Sequence, residues 1–387
     1  MGRPIAILLA AVAGLSLLWL AYERWPRDCA ARADASGQPR LRGVNVWTFA
    51  ALSRRPSDAP GPTYAEGRFR GEPQSAYDYL YRRGVRLIRL PFWWYRLQPE
   101  LGGELDAAYR DALRAEVRKA RRARLKIVLD LHDYRQGRDR GAFLFGRSVS
   151  AADFVDVWTR LSDLYRNERA VIAYDLMNQP NDVPVPIWES YSRAAVEAIR
   201  RNADAKEIWL GTPDFNHVED WPERRPWVSD PRVVYEGHQY FDLGSSAGGR
   251  YEGRYSSSYD QTVLSRLQGF VDWLERHRVK GAIGEVGWPS SRTSRDWRRW
   301  NDLGERWYRA ADRAGLSVTY WNATSAYTDV TTAYDNRNNS ASAPGIGQAE
   351  TPARVIEAHG SIAGRGSRSG GAGGGARAGG DCSPRPS

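Results

Sequence analysis

Cysteine is nearly absent from this chain of 387 residues: there are two, Cys29 and Cys382. Both lie outside the apparent folded region, so that region needs no disulfide and must hold itself together by an apolar core. Lysine is almost as scarce. It occurs only at 119, 126, 206 and 280, so all but four of the 56 basic residues are arginine. The arginines are scattered along the chain, and no nucleic-acid-binding motif accompanies them. The formal net charge of +10 therefore implies general attraction to anionic surfaces or polymers, and no nucleic-acid partner is expected. No cluster of His, Cys or Asp has metal-ligand spacing, which leaves neither a catalytic metal nor another cofactor to expect. No short-period internal repeat is present.

What is there is globular and aromatic: 42% hydrophobic and 26% charged residues, with 16 Trp and 20 Tyr. Such rings fill cores, and they also form platforms for the flat C–H faces of sugars. Residues 5–22 carry no charge and are flanked by Arg3 and by Glu23 and Arg24. That length suits a membrane-spanning anchor better than the shorter apolar region of a cleaved signal peptide. Ala31, Ala33 and Ala35 offer a cleavage site nonetheless. The expectation is an exported protein, anchored in a membrane and facing the exterior or periplasm, or secreted if the segment is cut. Residues 26–39 read as a polar, Ala-rich linker. Residues 361–387 are rich in Gly, Ser, Ala and Arg, carry Arg365, Arg368, Arg377 and Arg385 against Asp381, and are expected to be disordered.

Between these flanks, residues 40–360 alternate strand and helix patterns. Strands are expected at 41–47, 86–90, 126–132, 171–176, 207–210, 233–238, 281–284 and 317–321. Helices are expected at 75–83, 105–121, 151–165, 187–201, 259–278 and 295–314, with a last one at 351–359. The connection between the fifth and sixth strands is less clearly helical. Strands separated by helices form parallel βαβ units, and eight of them predict a single-domain α/β fold, the (β/α)8 TIM barrel, acting as a monomer.

In that fold the functional site lies at the C-terminal ends of the strands. Those ends carry Arg89, His132, Asn178, Gln179, His238, Tyr240, Glu285 and Trp321. Two aromatic stretches follow strands: Phe92-Trp93-Trp94-Tyr95 and Trp288-Pro289. Trp93, Trp94 and Trp288 are accordingly candidate sugar platforms. The loop 243–258, rich in Gly, Ser and Tyr, is long enough to act as a lid.

The ordered set Arg42-Gly43-Val44-Asn45, Ile88-Arg89-Leu90-Pro91, Val128-Leu129-Asp130-Leu131-His132, Asp175-Leu176-Met177-Asn178-Gln179-Pro180, His238-Gln239-Tyr240-Phe241-Asp242, Gly284-Glu285-Val286-Gly287 and Trp321 resembles glycoside hydrolase family 5, the cellulase family of clan A, over roughly residues 40–359. The stretch 238–242 looks most like its endo-β-1,4-glucanase branch. The resemblance implies a retaining β-glycosidase acting on a β-linked polysaccharide or oligosaccharide. Glu285 would be the nucleophile, kept ionised by Arg89 and the Tyr240 hydroxyl, which both favour the charged form. Asn178 would bind the sugar 2-hydroxyl, His132 and His238 would position the sugar, and Trp321 would floor its subsite.

One residue departs from the family. Retaining enzymes use two carboxylates about 5–5.5 Å apart, and the second of them protonates the leaving oxygen. Here that position holds Gln179, an amide that does not titrate but keeps shape and hydrogen bonding. General acid–base help is worth about 10²–10⁴-fold, so the loss matters. Three readings stand open: a deliberate Glu→Gln change, a natural enzyme restricted to leaving groups that need no proton, or a sugar-binding pseudoenzyme at the cell surface. Plant thioglucosidases of the same clan are similar in having Gln at this position. Asp182, on the same loop, and Glu236, two residues before His238 and hence on the same strand face, are candidate replacement acids.

Overall fold

The structure, a computed structural model, describes residues 40–53, 69–132, 145–242, 251, 254–326, 329–337 and 345–361. The apolar segment 5–22, the linker 26–39, the tail from 362, both cysteines and most of the loop 243–258 lie outside the described residues. Among the described residues no helix is long and apolar enough to cross a membrane.

Eight parallel strands pair in sequence order: β1 (Arg42–Val46), β2 (Leu87–Phe92), β3 (Lys126–Leu131), β4 (Val171–Asp175), β5 (Glu207–Leu210), β6 (Val233–Tyr240), β7 (Lys280–Gly287) and β8 (Ser317–Ala323). β1 also pairs with β8, which closes the sheet into the expected barrel and leaves it no free edge. Every strand begins within one residue of its expected start. Six long helices lie between strands: α2 (Gln74–Arg82) follows the short α1 (Thr48–Ser53), and α4 (Ala107–Arg122) follows the single turn α3 (Trp94–Leu97). They are followed in the chain by α5 (Ala151–Tyr165), α6 (Val185–Arg201) and α7 (Ser258–His277), and α8 (Trp297–Arg313) is the sixth. The ambiguous connection from β5 to β6 holds a 3-10 turn, Val218–Glu223. The chain then adds a small antiparallel pair, β9 (Tyr334–Asp335) and β10 (Gln348–Ala349), which no sequence pattern announced, and closes with α9 (Thr351–Ala358).

Side chains alternate along each strand, so half of them fill the barrel interior. The lowest interior layer is apolar: Leu87, Val128, Ala173, Trp209, Val234 and Ala282 form one buried cluster, a plug at the N-terminal ends of the strands. Two residues further along, Arg89, Asp130, Asp175 and Glu236 replace them with charge, each 0% exposed. The outward faces join the helices in a second, larger core. Close approach sets one glycine: a Cβ on Gly43 would stand 2.1 Å from the Leu87 carbonyl oxygen, so β1 and β2 meet there only without a side chain.

Both ends of the described chain are fastened to the plugged face. Arg42, 1% exposed, pairs with Asp312 and donates to the Leu316 carbonyl at 2.6 Å. His359 contacts the same carboxylate, Nδ1 to Oδ2 at 2.6 Å, and the Arg42 amide donates to the Ser361 hydroxyl at 2.8 Å. Arg40 and Ser361 thus both sit on the face opposite the C-terminal strand ends.

Candidate active site

The centre of the site is the guanidinium of Arg89. Its Nε donates to Asp175 Oδ2 at 2.8 Å and its Nη2 to Asn178 Oδ1 at 2.7 Å. Nη1 donates to Asn45 Oδ1 at 2.9 Å and to Glu285 Oε1 at 3.1 Å. Asp130 stands 3.0 Å away and Glu236 3.7 Å away. Burial works against this cation, but the carboxylates of Asp130, Asp175, Glu236 and Glu285 hold its pKa well above the ordinary arginine value. Four carboxylates around one cation cannot all be ionised out of water. Two of them are shifted up: burial, then Glu236, drives Asp175 well above the usual carboxylate range, and burial pushes Glu236 up to about 7.

Glu285 reaches the cleft because β7 is bulged. The pairing of β6 and β7 runs Gly237 to Ile283 and then His238 to Glu285, passing over Gly284. The extra residue re-aims the strand and sets Glu285 beside His238. Its Oε2 accepts from the Tyr240 hydroxyl at 2.7 Å and lies 3.5 Å from His238 Nδ1. Gly284 is obligatory here: a Cβ would fall 1.7 Å from Glu236 Oε1 and 2.8 Å from His238 Nε2.

His238 links the remaining polar groups. Its Nε2 contacts Glu236 Oε1 at 2.7 Å, and its Nδ1 lies 3.0 Å from the amide nitrogen of Gln179. With the amide assigned this way, Nδ1 accepts from Gln179 and Nε2–H donates to Glu236. That tautomer fits a neutral ring, and burial pushes the His238 pKa down to about 3. Gln179 follows β4, is 2% exposed and has a φ of +45°, a conformation uncommon for a residue with a side chain. The turn therefore aims the amide at the same imidazole nitrogen that Glu285 approaches.

His132 completes a second, aromatic wall. Its Nδ1 contacts Asp130 Oδ2 at 2.8 Å. Its ring lies nearly parallel to Trp321, 5.9 Å between centroids at 12°, with Trp47 at 4.9 Å and Trp93 at 5.6 Å. Trp321 is held by Nε1–H donating to Asp329 Oδ2 at 3.0 Å.

The structure thus brings together Arg89, His132, Asn178, Gln179, His238, Tyr240, Glu285, Trp321 and, in the wall, Trp93. It corrects two other expectations. Trp94 is fully buried among Phe145 and Phe154, with its Nε1–H donating to Gln98. Trp288 is fully buried, stacked on Phe241 at 5.1 Å and bonded to Asn301. Both rings turn under their loops into the core, so neither offers a face to a sugar. Glu236 points inward with His238, as strand alternation requires, but it is enclosed beneath that ring at 0% exposure. Asp182 lines a separate pocket of about 490 Å³ with Phe145, Val183, Pro213 and Arg224, none of them part of the Arg89 network. Glu236, so enclosed, is not an acid facing Glu285 across the cleft. Sequence reasoning quoted Asn45 only within a motif and gave neither it nor Trp47 a role; both stand at the C-terminal end of the first strand, which like the fifth supplied no candidate. Among the described residues no group of three or more His, Cys, Asp or Glu is placed to hold a metal ion.

The family model for cellulase, glycosyl hydrolase family 5, matches residues 45–327, well over half of the chain. The chain is 26% identical over 230 residues to the manganese dependent endoglucanase Eg5A of Phanerodontia chrysosporium, covering 55% of this chain and 56% of that one. It is likewise 26% identical over 213 residues to endo-beta-1,4-glucanase B of Emericella nidulans, covering 53% and 61%. The chain therefore spans a little over half the length of the curated relatives it matches. Among solved structures it resembles Pseudomonas stutzeri endoglucanase Cel5A in complex with cellobiose, with a TM-score of 0.68 at 26% identity over 82% of this chain and 92% of that one.

Proposed function

The chain belongs to glycosyl hydrolase family 5, the cellulase family, and on that premise we propose that it is a retaining β-glycosidase directed at a β-1,4-glucan. Its nucleophile is Glu285, and its proton-transfer machinery is impaired because position 179 is glutamine. The observation that carries this reading is the support given to Glu285. One oxygen accepts from Arg89 at 3.1 Å and the other from Tyr240 at 2.7 Å. Both bonds favour a carboxylate, the form that attacks an anomeric carbon. Asn178, its amide oriented by Arg89, takes the 2-hydroxyl of the reacting sugar, where a hydrogen bond strengthens as the oxocarbenium-like transition state develops. Trp321 floors that subsite, and Trp47, Trp93 and His132 wall it.

Gln179 favours a second reading, a cleft that binds a β-linked polysaccharide without cleaving it. The two readings part on one experiment. Mass spectrometry after exposure to an activated 2-fluoro glycoside should show a covalent adduct on a peptide containing Glu285, absent in Glu285→Ala. A protein that binds cello-oligosaccharides yet never acquires the adduct is a binding protein, and the enzyme reading falls.

A further inference from the structure

The strongest unexplained feature lies at the other end of the barrel. Residues 82–86, which lead into β2, hold three arginines and no acid, and residues 121–126, which lead into β3, hold four basic residues and no acid. Residues 276–280, which lead into β7, hold three more and no acid. Seven of these ten are exposed. Among the described residues, Arg121 alone of those seven forms an ion pair, with Glu168 at 3.2 Å. Exposed Arg169, Arg232 and Arg313, before β4, β6 and β8, continue the ring.

Cations in a last helical turn are favoured by the helix dipole, which accounts for Arg82, Arg122 and Arg276. It does not account for Arg124, Lys126, Arg169, Arg232 or Arg278, which lie beyond the helix ends. Such a concentration of like charge is self-repelling, and an anionic partner relieves that repulsion. Arg40 begins the described chain on this same face. In sequence it is preceded by the linker 26–39 and the apolar segment 5–22. Fourteen linker residues reach at most about 50 Å, and about 20 Å as a flexible coil, so a barrel tethered to a membrane would stay close to it.

We propose that the N-terminal face of the barrel is a docking surface for anionic lipid headgroups, so that the cleft opens away from the membrane. The inference rests on reading residues 5–22 as an anchor, and not on the glycosidase reading. Each Arg or Lys brought to such a surface is worth about fivefold in affinity, an effect that salt screens.

The test uses the full chain, mixed with vesicles of phosphatidylcholine alone or of phosphatidylcholine with phosphatidylglycerol, separated by flotation and followed by amide hydrogen exchange. The chain should float with both. Residues 82–86, 121–126 and 276–280 should exchange more slowly on the anionic vesicles only, and high salt should abolish the difference. A variant carrying Arg124→Glu, Lys126→Glu, Arg169→Glu and Arg232→Glu, all exposed and outside helices, should float equally, melt like the parent and lose the protection. Equal exchange on the two vesicle types overturns the proposal, whether or not the chain floats. Protection by heparin or DNA without protection by anionic vesicles also overturns it, and makes the face a site for a soluble polyanion.

Discussion

At the scale of single residues, the pairing of Gln179 with His238 decides most. The imidazole gives its Nε2–H to Glu236 and presents a lone pair at Nδ1, where the Gln179 amide donates at 3.0 Å. A carboxyl at position 179 would face that lone pair, and Glu285 Oε2 lies 3.5 Å from the same nitrogen. Only a protonated carboxyl suits both neighbours, so its pKa would rise, as a general acid requires. Gln179→Glu should therefore raise hydrolysis of β-1,4-glucans by about 10²–10⁴-fold. The gain should be smaller for nitrophenyl or fluoride glycosides, whose groups leave unaided. Azide should accelerate the parent protein, giving the β-glycosyl azide, because it attacks the intermediate without base help. Should Gln179→Glu gain nothing on any β-glucan, position 179 is not where the proton is handled.

A second residue-scale effect concerns stability. Glu236 has a folded pKa of about 7 against an ordinary 4.5, so the folded state holds its proton more tightly than the unfolded chain does. Its contribution to stability is fully present below about pH 4.5 and is lost as the pH rises through about 7. His238, pushed down to about 3 from 6.5, acts oppositely, and its contribution is complete above pH 6.5. Between pH 6.5 and 8 the protein should lose stability. Glu236→Gln keeps an acceptor for His238 Nε2–H and should flatten the decline, leaving the parts due to Asp175, which is also raised, and to Asp220, which burial pushes up to about 7. Denaturation midpoints across this range decide the matter; identical slopes in the two proteins would remove Glu236 from the account.

At the scale of elements, sequence period carried the fold a long way. Strands buried on both faces read as apolar runs, and helices between them read by their stripes, which is why all eight strand starts lie within one residue of expectation. What escaped has a physical reason. The pair β9 and β10 is two residues long on each side, too short to show any period. Trp94 and Trp288 sit in segments leaving strand ends, and a local pattern cannot say whether such a ring turns outward or under the loop. The bulge at Gly284 is a tertiary feature of two strands, invisible in one, although the glycine marks it. That glycine supplies a test. In Gly284→Ala the new methyl meets enclosed atoms of Glu236 and His238, and crowding of this kind costs about 1–3 kcal/mol. The variant should unfold at lower denaturant and acquire the 2-fluoro glycosyl adduct more slowly. Parent-like values in both measurements would show that the bulge does not position Glu285.

At the scale of the whole molecule, the barrel has two unlike ends: a cleft with Glu285 at one, and an arginine-studded face holding both ends of the described residues at the other. The chain thus has the layout of a body tethered from behind, and we propose that residues 5–22 are the tether. Eighteen residues in a helix span about 27 Å, close to the roughly 30 Å hydrocarbon core of a bilayer. Neither Cys29 nor Cys382 falls within the described barrel, so an oxidising exterior poses the fold no hazard. Expressed whole, the protein should pellet with membranes, resist a high-salt wash and need detergent for release. Added protease should reach the barrel from outside the cell. The salt wash matters, because the basic face alone would hold the barrel only electrostatically and would let go. Removal of residues 1–25 should free the barrel from the pellet under that wash. A mature N-terminus close after Ala31, Ala33 or Ala35 would make the protein secreted instead of anchored. Recovery of the full chain in the cytoplasm, with residues 1–22 intact and no membrane fraction, would reject both tether and export.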